Sequence, residues 1–263
     1  MKTLGDKKVS LFTTCVVDQF YPEIADSTVQ ILRKLGVNVV IPDGQTCCGQ
    51  PAFNSGYWNE ARGIARRFLK IFAGQEYVIT PSGSCATMVR NFYRDLVDDQ
   101  ADLESVNKLA SSVFELSEFL VDVLGLDESE LLSQTDKITS SVEMPDSESN
   151  STVKVTYHQA CHLSRELGIV EQPRTLIKGC AGVELTEMNE SEVCCGFGGT
   201  FSVKYPEISG AMLNDKVDNI LESGADAVVA CDASCLMQIA GGLKKKGSDL
   251  PALHIAQLIR NRL

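Results

Sequence analysis

The chain has 263 residues, 44% of them hydrophobic, which is enough for two ordinary domains with real cores and is too apolar for a disordered chain. Its formal net charge of −11 argues against nucleic acid or an anionic membrane as the main partner. No run approaches the roughly eighteen apolar residues of a membrane span. The first residues, Met1 to Asp6, lack the apolar core of a secretory signal, so a soluble cytoplasmic protein is expected.

In chain order the sequence alternates strand and helix patterns. Val9 to Thr13 is an apolar run leading into Cys15. A helix follows with Ile24, Thr28, Ile31, Leu32 and Leu35 on one face, stopped by Gly36. Val37 to Ile41 reads as a β-branched strand and Pro42-Asp43-Gly44 as a turn. Next come a Cys-Cys-Gly-Gln-Pro loop and a helix with Ala61, Ile64, Ala65, Phe68 and Phe72 facing inward. Tyr77 to Thr80 is a strand ending in Pro81-Ser82-Gly83-Ser84-Cys85, and helices are expected at about 86–97 and 115–124. Asp127 to Thr152 is rich in Ser, Glu and Asp, and reads as a flexible linker.

After that segment the order repeats. Val153 to Tyr157 precedes Cys161, a helix is expected at about 171–178, and a strand near Val183 to Leu185 leads to Cys-Cys-Gly-Phe-Gly-Gly. A long helix carries Leu213, Val217, Ile220 and Leu221 on one face, and the strand Ala227 to Ala230 ends in Cys231-Asp232-Ala233-Ser234-Cys235. The segment Leu253 to Leu258 matches Phe114 to Phe119. The reading is therefore an α/β chain of two tandem homologous Rossmann-like three-layer domains, 1–126 and 153–263, with linker 127–152 and separate cores.

The cysteines carry the chemistry. Eight of the ten form a constellation that occurs twice: Cys15, Cys47, Cys48 and Cys85, then Cys161, Cys194, Cys195 and Cys235. Cys15 and Cys161 lie 146 positions apart, and Cys85 and Cys235 lie 150 apart. Disulfides are disfavoured in a reducing cytosol, where such clusters more often mean metal or redox chemistry. About 30 residues make one strand–helix–strand unit, which returns the chain to the same sheet edge. Successive loops thus deliver the four thiolates of each set to one point at the strand C-terminal ends, where open α/β sheets place their sites. Soft thiolate quartets suit iron–sulfur clusters or zinc. Cys180 has no counterpart in the first half and reads as core.

Gly196-Phe197-Gly198-Gly199 lacks the spacing of a dinucleotide fingerprint, and is better explained by close backbone approach to a cluster. His158 and His162 flank Cys161 and are candidates for hydrogen bonding to a cluster or for proton transfer. Arg165 and Lys204 are candidates for offsetting anionic charge, His254 for a structural role at a helix start, and Trp58 for core or interface. Lys244-Lys245-Lys246 ends a helix and complements its dipole.

Cys47-Cys48-Gly49-Gln50-Pro51-Ala52-Phe53-Asn54-Ser55-Gly56 and Pro81 to Cys85 resemble the CCG cysteine-rich domain family. So do His158-Gln159-Ala160-Cys161-His162, Cys194 to Lys204 and Ser234-Cys235. The family includes the cysteine-rich component of heterodisulfide reductase and components of flavin-linked dehydrogenases, and the resemblance is strongest to its lactate-utilization branch. It implies iron–sulfur ligation by the eight cysteines and electron transfer in oxidising L-lactate to pyruvate. The implied partners are a ferredoxin-like iron–sulfur protein and a third lactate-utilization protein. One 4Fe-4S cluster per half is the simpler form. The reductase's non-cubane clusters use five cysteines per motif; here Pro81 stands at the fifth position of the first half, and Cys231, a further candidate ligand, is offset in the second. Two alternatives remain: a cluster-dependent heterodisulfide or thiol–disulfide reductase subunit, and a zinc-stabilised interaction module, with zinc as the alternative at one site.

Overall fold

The computed structural model describes residues 8–97, 99–133 and 152–262. The first half runs β1 (Lys8–Leu11), α1 (Cys15–Phe20), α2 (Pro22–Lys34), β2 (Asn38–Val40), α3 (Gln50–Asn54), α4 (Trp58–Phe72), β3 (Tyr77–Thr80), α5 (Gly83–Thr87), α6 (Gln100–Ala110), β4 (Val113–Glu115), α7 (Leu116–Glu118) and α8 (Glu128–Ser133). The second runs β5 (Val153–His158), α9 (Glu171–Lys178), β6 (Val183–Leu185), α10 (Phe201–Lys204), α11 (Pro206–Glu222), β7 (Ala227–Ala230), α12 (Ala233–Lys245), β8 (Ala252–His254) and α13 (Ile255–Arg260). Each half is a four-stranded parallel sheet with flanking helices, ordered β2-β1-β3-β4 and β6-β5-β7-β8.

The sheets are superimposable in register. Val9 pairs with Tyr77 and Val155 with Ala227, so β1 and β5 correspond without a gap through to Cys15 and Cys161. Strands such as Val9-Ser10-Leu11 and Ala227-Val228-Val229-Ala230 are buried along their length, as expected of parallel strands covered on both faces. The chain leaves β1 toward β2 and returns to β3 on its other side, so β1 and β3 flank the topological switch point. Cys15 and Cys85 follow those two strands directly.

Several expectations change in detail. The helix expected at 86–97 is α5 continued by a π-helical turn, Met88–Phe92, and a 3-10 turn, Tyr93–Leu96. Helix α6 falls in a stretch for which no element was expected, and its N-cap Asp99 accepts the N–H of Asp102. The expected linker begins as a helix: Asp127 accepts the N–H of Glu130, and Leu131 packs closely on Gly179. Residues 134–151, including Met144 to Asn150, lie outside the described residues.

The expectation of separate cores is not met. One hydrophobic core joins Val9, Leu11, Ile31 and Leu32 of the first half to Tyr157, Val229, Ile255 and Ile259 of the second. Helix α13 of the second half lies against α2 of the first. Helical periodicity tells which face is apolar but not what covers it, and the C-terminal helix covers the N-terminal half. A further cluster is built from first-half residues, centres on Phe12, Phe68, Phe72, Met88 and Tyr93, and is touched by Leu167 of the second half. Trp58 is in neither cluster. It is half exposed and stacks on Phe53 with ring centroids 5.5 Å apart. No described helix is long and apolar enough to cross a membrane.

Candidate metal centre

Each cysteine set is built the same way. Cys15 opens α1 immediately after β1, and the residue before it, Thr14, has a positive φ of 66°. That conformation is costly for a β-branched residue and is held by its neighbours. Gln45 does much of the holding: its amide accepts from Thr13 N at 3.0 Å and donates to the carbonyls of Leu11 and Pro42. The ends of β1 and β2 are thereby tied together. Cys47 and Cys48 follow, and Gly49 in the left-handed region turns its N–H back to Cys47 Sγ at 3.3 Å. Tyr93 Oη donates to the Cys48 carbonyl at 2.9 Å. Cys85 lies in α5, its N–H capped by Ser82.

In the second half Cys161 follows β5 and leads into a π-helical turn, His162–Glu166. Gly196 repeats the Gly49 turn, with its N–H 3.4 Å from Cys194 Sγ. Cys235 lies in α12, capped by Asp232, which takes the place of Ser82. Cys161 and Cys194 are 4.0 Å apart at their sulfurs. In each set the second residue of the Cys-Cys pair and the helix cysteine are buried, while the other two are half-buried at the surface of a cleft.

All eight cysteines line that one cleft, together with Ser82, Ser84, His162 and Asp232. The halves meet there face to face. Ser82 and Asp232 form an antiparallel bridge. The Asp232 carboxylate accepts from Ser82 Oγ at 3.2 Å and from Ser84 N at 3.0 Å. Ser55 and Thr200, from the two CCG loops, are hydrogen-bonded at 2.8 Å.

The electrostatics of the two sets also match. Hydrogen bonds from Cys15, then Cys48, pull Cys47 to about 3, and those from Cys161, then Cys195, pull Cys194 to about 2. The glycine N–H groups add to both effects. Their donor partners Cys15, Cys48, Cys161 and Cys195 are pushed up, first by that hydrogen bonding and then by burial. In each set the first cysteine of the Cys-Cys pair is thus favoured as the thiolate, the form that binds a metal. The donor set, four soft sulfurs gathered twice, fits iron–sulfur clusters and zinc alike.

The other candidates separate clearly. His158 is fully buried, neither ring nitrogen has a hydrogen-bond partner, and one lies within 4.8 Å of the Cys195 and Cys235 sulfurs. Burial, then the Lys216 charge, lowers its pKa to about 3, so the ring is neutral. His162 lines the cleft, with Nδ1 3.7 Å from Cys161 Sγ. Cys231 does not line the cleft: its buried thiol lies 3.6 Å from Tyr157 Oη, on the side where Glu115 sits. Cys180 is buried, donates to the Leu176 carbonyl, and burial lifts its pKa to about 12. His254 caps α13 and contacts the Pro81 carbonyl, a structural role. Arg165 donates to the Glu192 carbonyl, Lys246 pairs with Asp218, and neither Arg165 nor Lys204 lines the cleft.

Three residues of the site's surroundings went unnoticed in the sequence. Lys216 is buried and donates to the carbonyls of Glu190 and Ser191, ahead of Cys194. Leu221, expected inside, is 38% exposed, because the buried face of α11 is turned toward Lys216. Glu115 and Tyr157 are both fully buried beside Cys231.

A sequence model of the cysteine-rich domain named for its CCG motif matches residues 9–90 and again 155–240, which include all eight cysteines of the two quartets. The chain belongs to this CCG cysteine-rich domain family. Among its relatives, the chain is 43% identical over 253 residues to lactate utilization protein A 1 of Bacillus mycoides, covering 96% of each chain. It is 40% identical over 255 residues to lactate utilization protein A of Halalkalibacterium halodurans, covering 97% of each. To lactate utilization protein A of Bacillus subtilis it is 39% identical over 255 residues, 97% of this chain and 100% of that one.

Proposed function

We propose that this chain is an iron–sulfur electron-transfer component of a system that oxidises L-lactate to pyruvate. The observation that carries the reading is the gathering of two thiol quartets on one cleft, in a chain whose CCG relatives are named for lactate utilization along nearly their whole length. Cys15, Cys47, Cys48 and Cys85 would hold one 4Fe-4S cluster, and Cys161, Cys194, Cys195 and Cys235 the other. Such clusters, when bound, accept and release single electrons. The chain's own groups cradle them: the Gly49 and Gly196 N–H groups aim at ligand sulfurs. The halves 1–126 and 153–263 would be the two cluster-bearing units, with 127–152 connecting them.

The sequence has no flavin or nicotinamide motif to take a hydride from the substrate. The oxidation step therefore belongs to partners, a ferredoxin-like iron–sulfur protein and a third lactate-utilization protein, in the cytoplasm. Full-length protein purified anaerobically should be brown and hold about eight iron atoms with matching sulfide. With L-lactate and an artificial acceptor it should turn over only when its partner proteins are added. Rapid turnover by the isolated chain refutes the subunit reading.

Zinc is the second reading, and one distance favours it. The 4.0 Å between the Cys161 and Cys194 sulfurs is near the ~3.8 Å edge of a tetrahedron with 2.3 Å metal–sulfur bonds. Colourless protein with stoichiometric zinc would establish it. The heterodisulfide reductase reading is weakened by the position of Cys231 outside the cleft, since five-cysteine ligation was its main support.

A further inference from the structure

The ligands of the two sites correspond one for one, but the residues behind them do not. The register of β1 on β5 puts Phe12 and His158 at equivalent positions, three residues before Cys15 and Cys161. The register of α4 on α11 is fixed independently by the CCG glycines: Gly49 lies against Ala61 and Ile64, and Gly196 against Ser209 and Met212. The same offset makes Phe68 and Lys216 equivalent.

Behind the first site, then, Phe12 and Phe68 meet edge to face at 4.8 Å, backed by Phe72 and Tyr93. Behind the second stand an imidazole with no partner and a buried ammonium. Lys216 Nζ reaches the Glu190 carbonyl at 2.5 Å and the Ser191 carbonyl at 3.3 Å, two and three residues from the ligand loop. Neither carbonyl carries a full charge, so the ammonium's field is not cancelled by a direct ion pair. The carboxylates of Glu192 and Glu190 act on it, with Glu190 Oε2 engaged by Asn219, and the Asp232 carboxylate beside Cys235 is occupied by hydrogen bonds from Ser82, Ser84 and Ser234. The His158 nitrogen and the sulfurs of Cys195 and Cys235 lie within 4.8 Å of one another, close enough to converge on one bound group, yet His158 makes no hydrogen bond to either sulfur.

Reduction potentials of clusters follow local net charge, hydrogen bonds to sulfur and exposure. Reduction adds negative charge, which a nearby cation and an N–H donor stabilise and phenyl rings do not. We infer that the two sites are unequal in reduction potential, the second being reduced first because His158 and Lys216 stand behind it where Phe12 and Phe68 stand behind the first. This inference rests on the iron–sulfur reading. With clusters bound, the second would be the one to keep an added electron, and His158 and Lys216 would act as positioning and tuning residues, not as ligands.

The test is an EPR-monitored redox titration of the full-length holoprotein, with iron counted per chain. Wild type should show two transitions. Cys195→Ser should remove the one at higher potential and Cys48→Ser the other. His158→Leu and Lys216→Met should each lower the reduced-to-oxidised ratio of the second site at least tenfold at fixed potential, about 59 mV for one electron, with the first transition unmoved and iron content unchanged. Two independent variants guard against one that fails to fold. The inference is overturned if the high-potential transition belongs to the first half, or if both variants leave the second midpoint in place. It is also overturned if His158→Leu loses second-site iron while keeping its circular dichroism, which would make His158 a ligand. Iron-free wild-type protein would refute the iron–sulfur reading itself, and this inference with it.

Discussion

The two halves hold their cysteines alike and support them differently. In the first, an aromatic cluster built on Phe12, Phe68, Phe72 and Tyr93 sits directly behind the site, as a core of first-half residues edged by Leu167 of the second. In the second, the equivalent space holds His158 and Lys216, and the half depends on the joint core for burial. Strand register and the glycine turns fix where thiols converge. The next layer is free to be apolar or charged without moving a ligand. A duplicated chain can therefore keep two matched sites in geometry while separating their chemistry.

The largest expected contrast comes from removing ligands. Cys48→Ser and Cys195→Ser should each abolish one centre and leave the other, lowering iron by about half on elemental analysis. Because the halves share a core, thermal unfolding of either variant should remain one cooperative transition. Two separated transitions would show that the halves fold independently and that the joint core contributes little.

Next is the aromatic support itself. Phe68 is buried against both Phe12 and Phe72, so Phe68→Ala should cost about 3–5 kcal/mol in denaturant unfolding. Lys216→Met at the equivalent position should cost far less, since an apolar chain of similar length replaces a buried cation that carries its own desolvation penalty. Equal losses at the two positions would break the contrast.

The cysteine constellation, the alternation of strands and helices along the chain and the duplication were legible in the sequence because ligands and buried strands carry patterns of spacing. The layer behind the sites was not. A lysine at position 216, beside Val217 and Ile220, reads as the solvent edge of an apolar face, and only the position of the Glu190 and Ser191 carbonyls makes it a buried one. The joint core was hidden because the apolar face of α2 does not announce that α13, more than 200 residues later, will cover it. The role of Cys231 was undecidable from spacing, since its thiol turns toward Tyr157 on the other side of the strand end.

A smaller effect separates the outer strands. Glu115 ends β4 where His254 ends β8, and both cap the helix that follows. His254 has partners for both nitrogens. Glu115 receives Ser117 at one oxygen and has no hydrogen bond at the other. Burial raises its pKa to about 8 from an ordinary 4.5, against the hydrogen bonds from Ser117 and Glu118. The folded state thus binds a proton that the unfolded state has released between those values. Its contribution is fully present below pH 4.5 and is lost as pH rises toward 8, on the order of 5 kcal/mol in all. Glu115→Gln, which does not titrate, should flatten the stability difference across that window when both proteins are unfolded in urea at several pH values. Parallel pH curves for the two proteins would mean that Glu115 is ionised in the fold.

The finest contrast lies in the glycines of the two CCG turns. Both have positive φ, 90° at Gly49 and 84° at Gly196, so an alanine at either position costs roughly 1–2 kcal/mol for the left-handed backbone. The surroundings then differ. A Cβ at Gly49 would meet Ile64 at an ordinary 3.4 Å, from a flexible side chain on α4. At Gly196 it would lie 2.6 Å from the Ser209 backbone carbonyl, and that helix is fastened to the turn by the Ser209 hydroxyl on the Gly196 carbonyl at 2.8 Å. Backbone cannot swing aside as a side chain can, so Gly196→Ala must push α11 away or distort the turn that carries Cys194 and Cys195. Gly49→Ala should keep both centres with a modest loss of stability, whereas Gly196→Ala should lose an extra 1–2 kcal/mol or so and release metal from the second centre first. Chelator-driven metal loss, followed spectroscopically in the two variants, measures the difference; equal rates would mean that the tighter turn is no more demanding than the looser one.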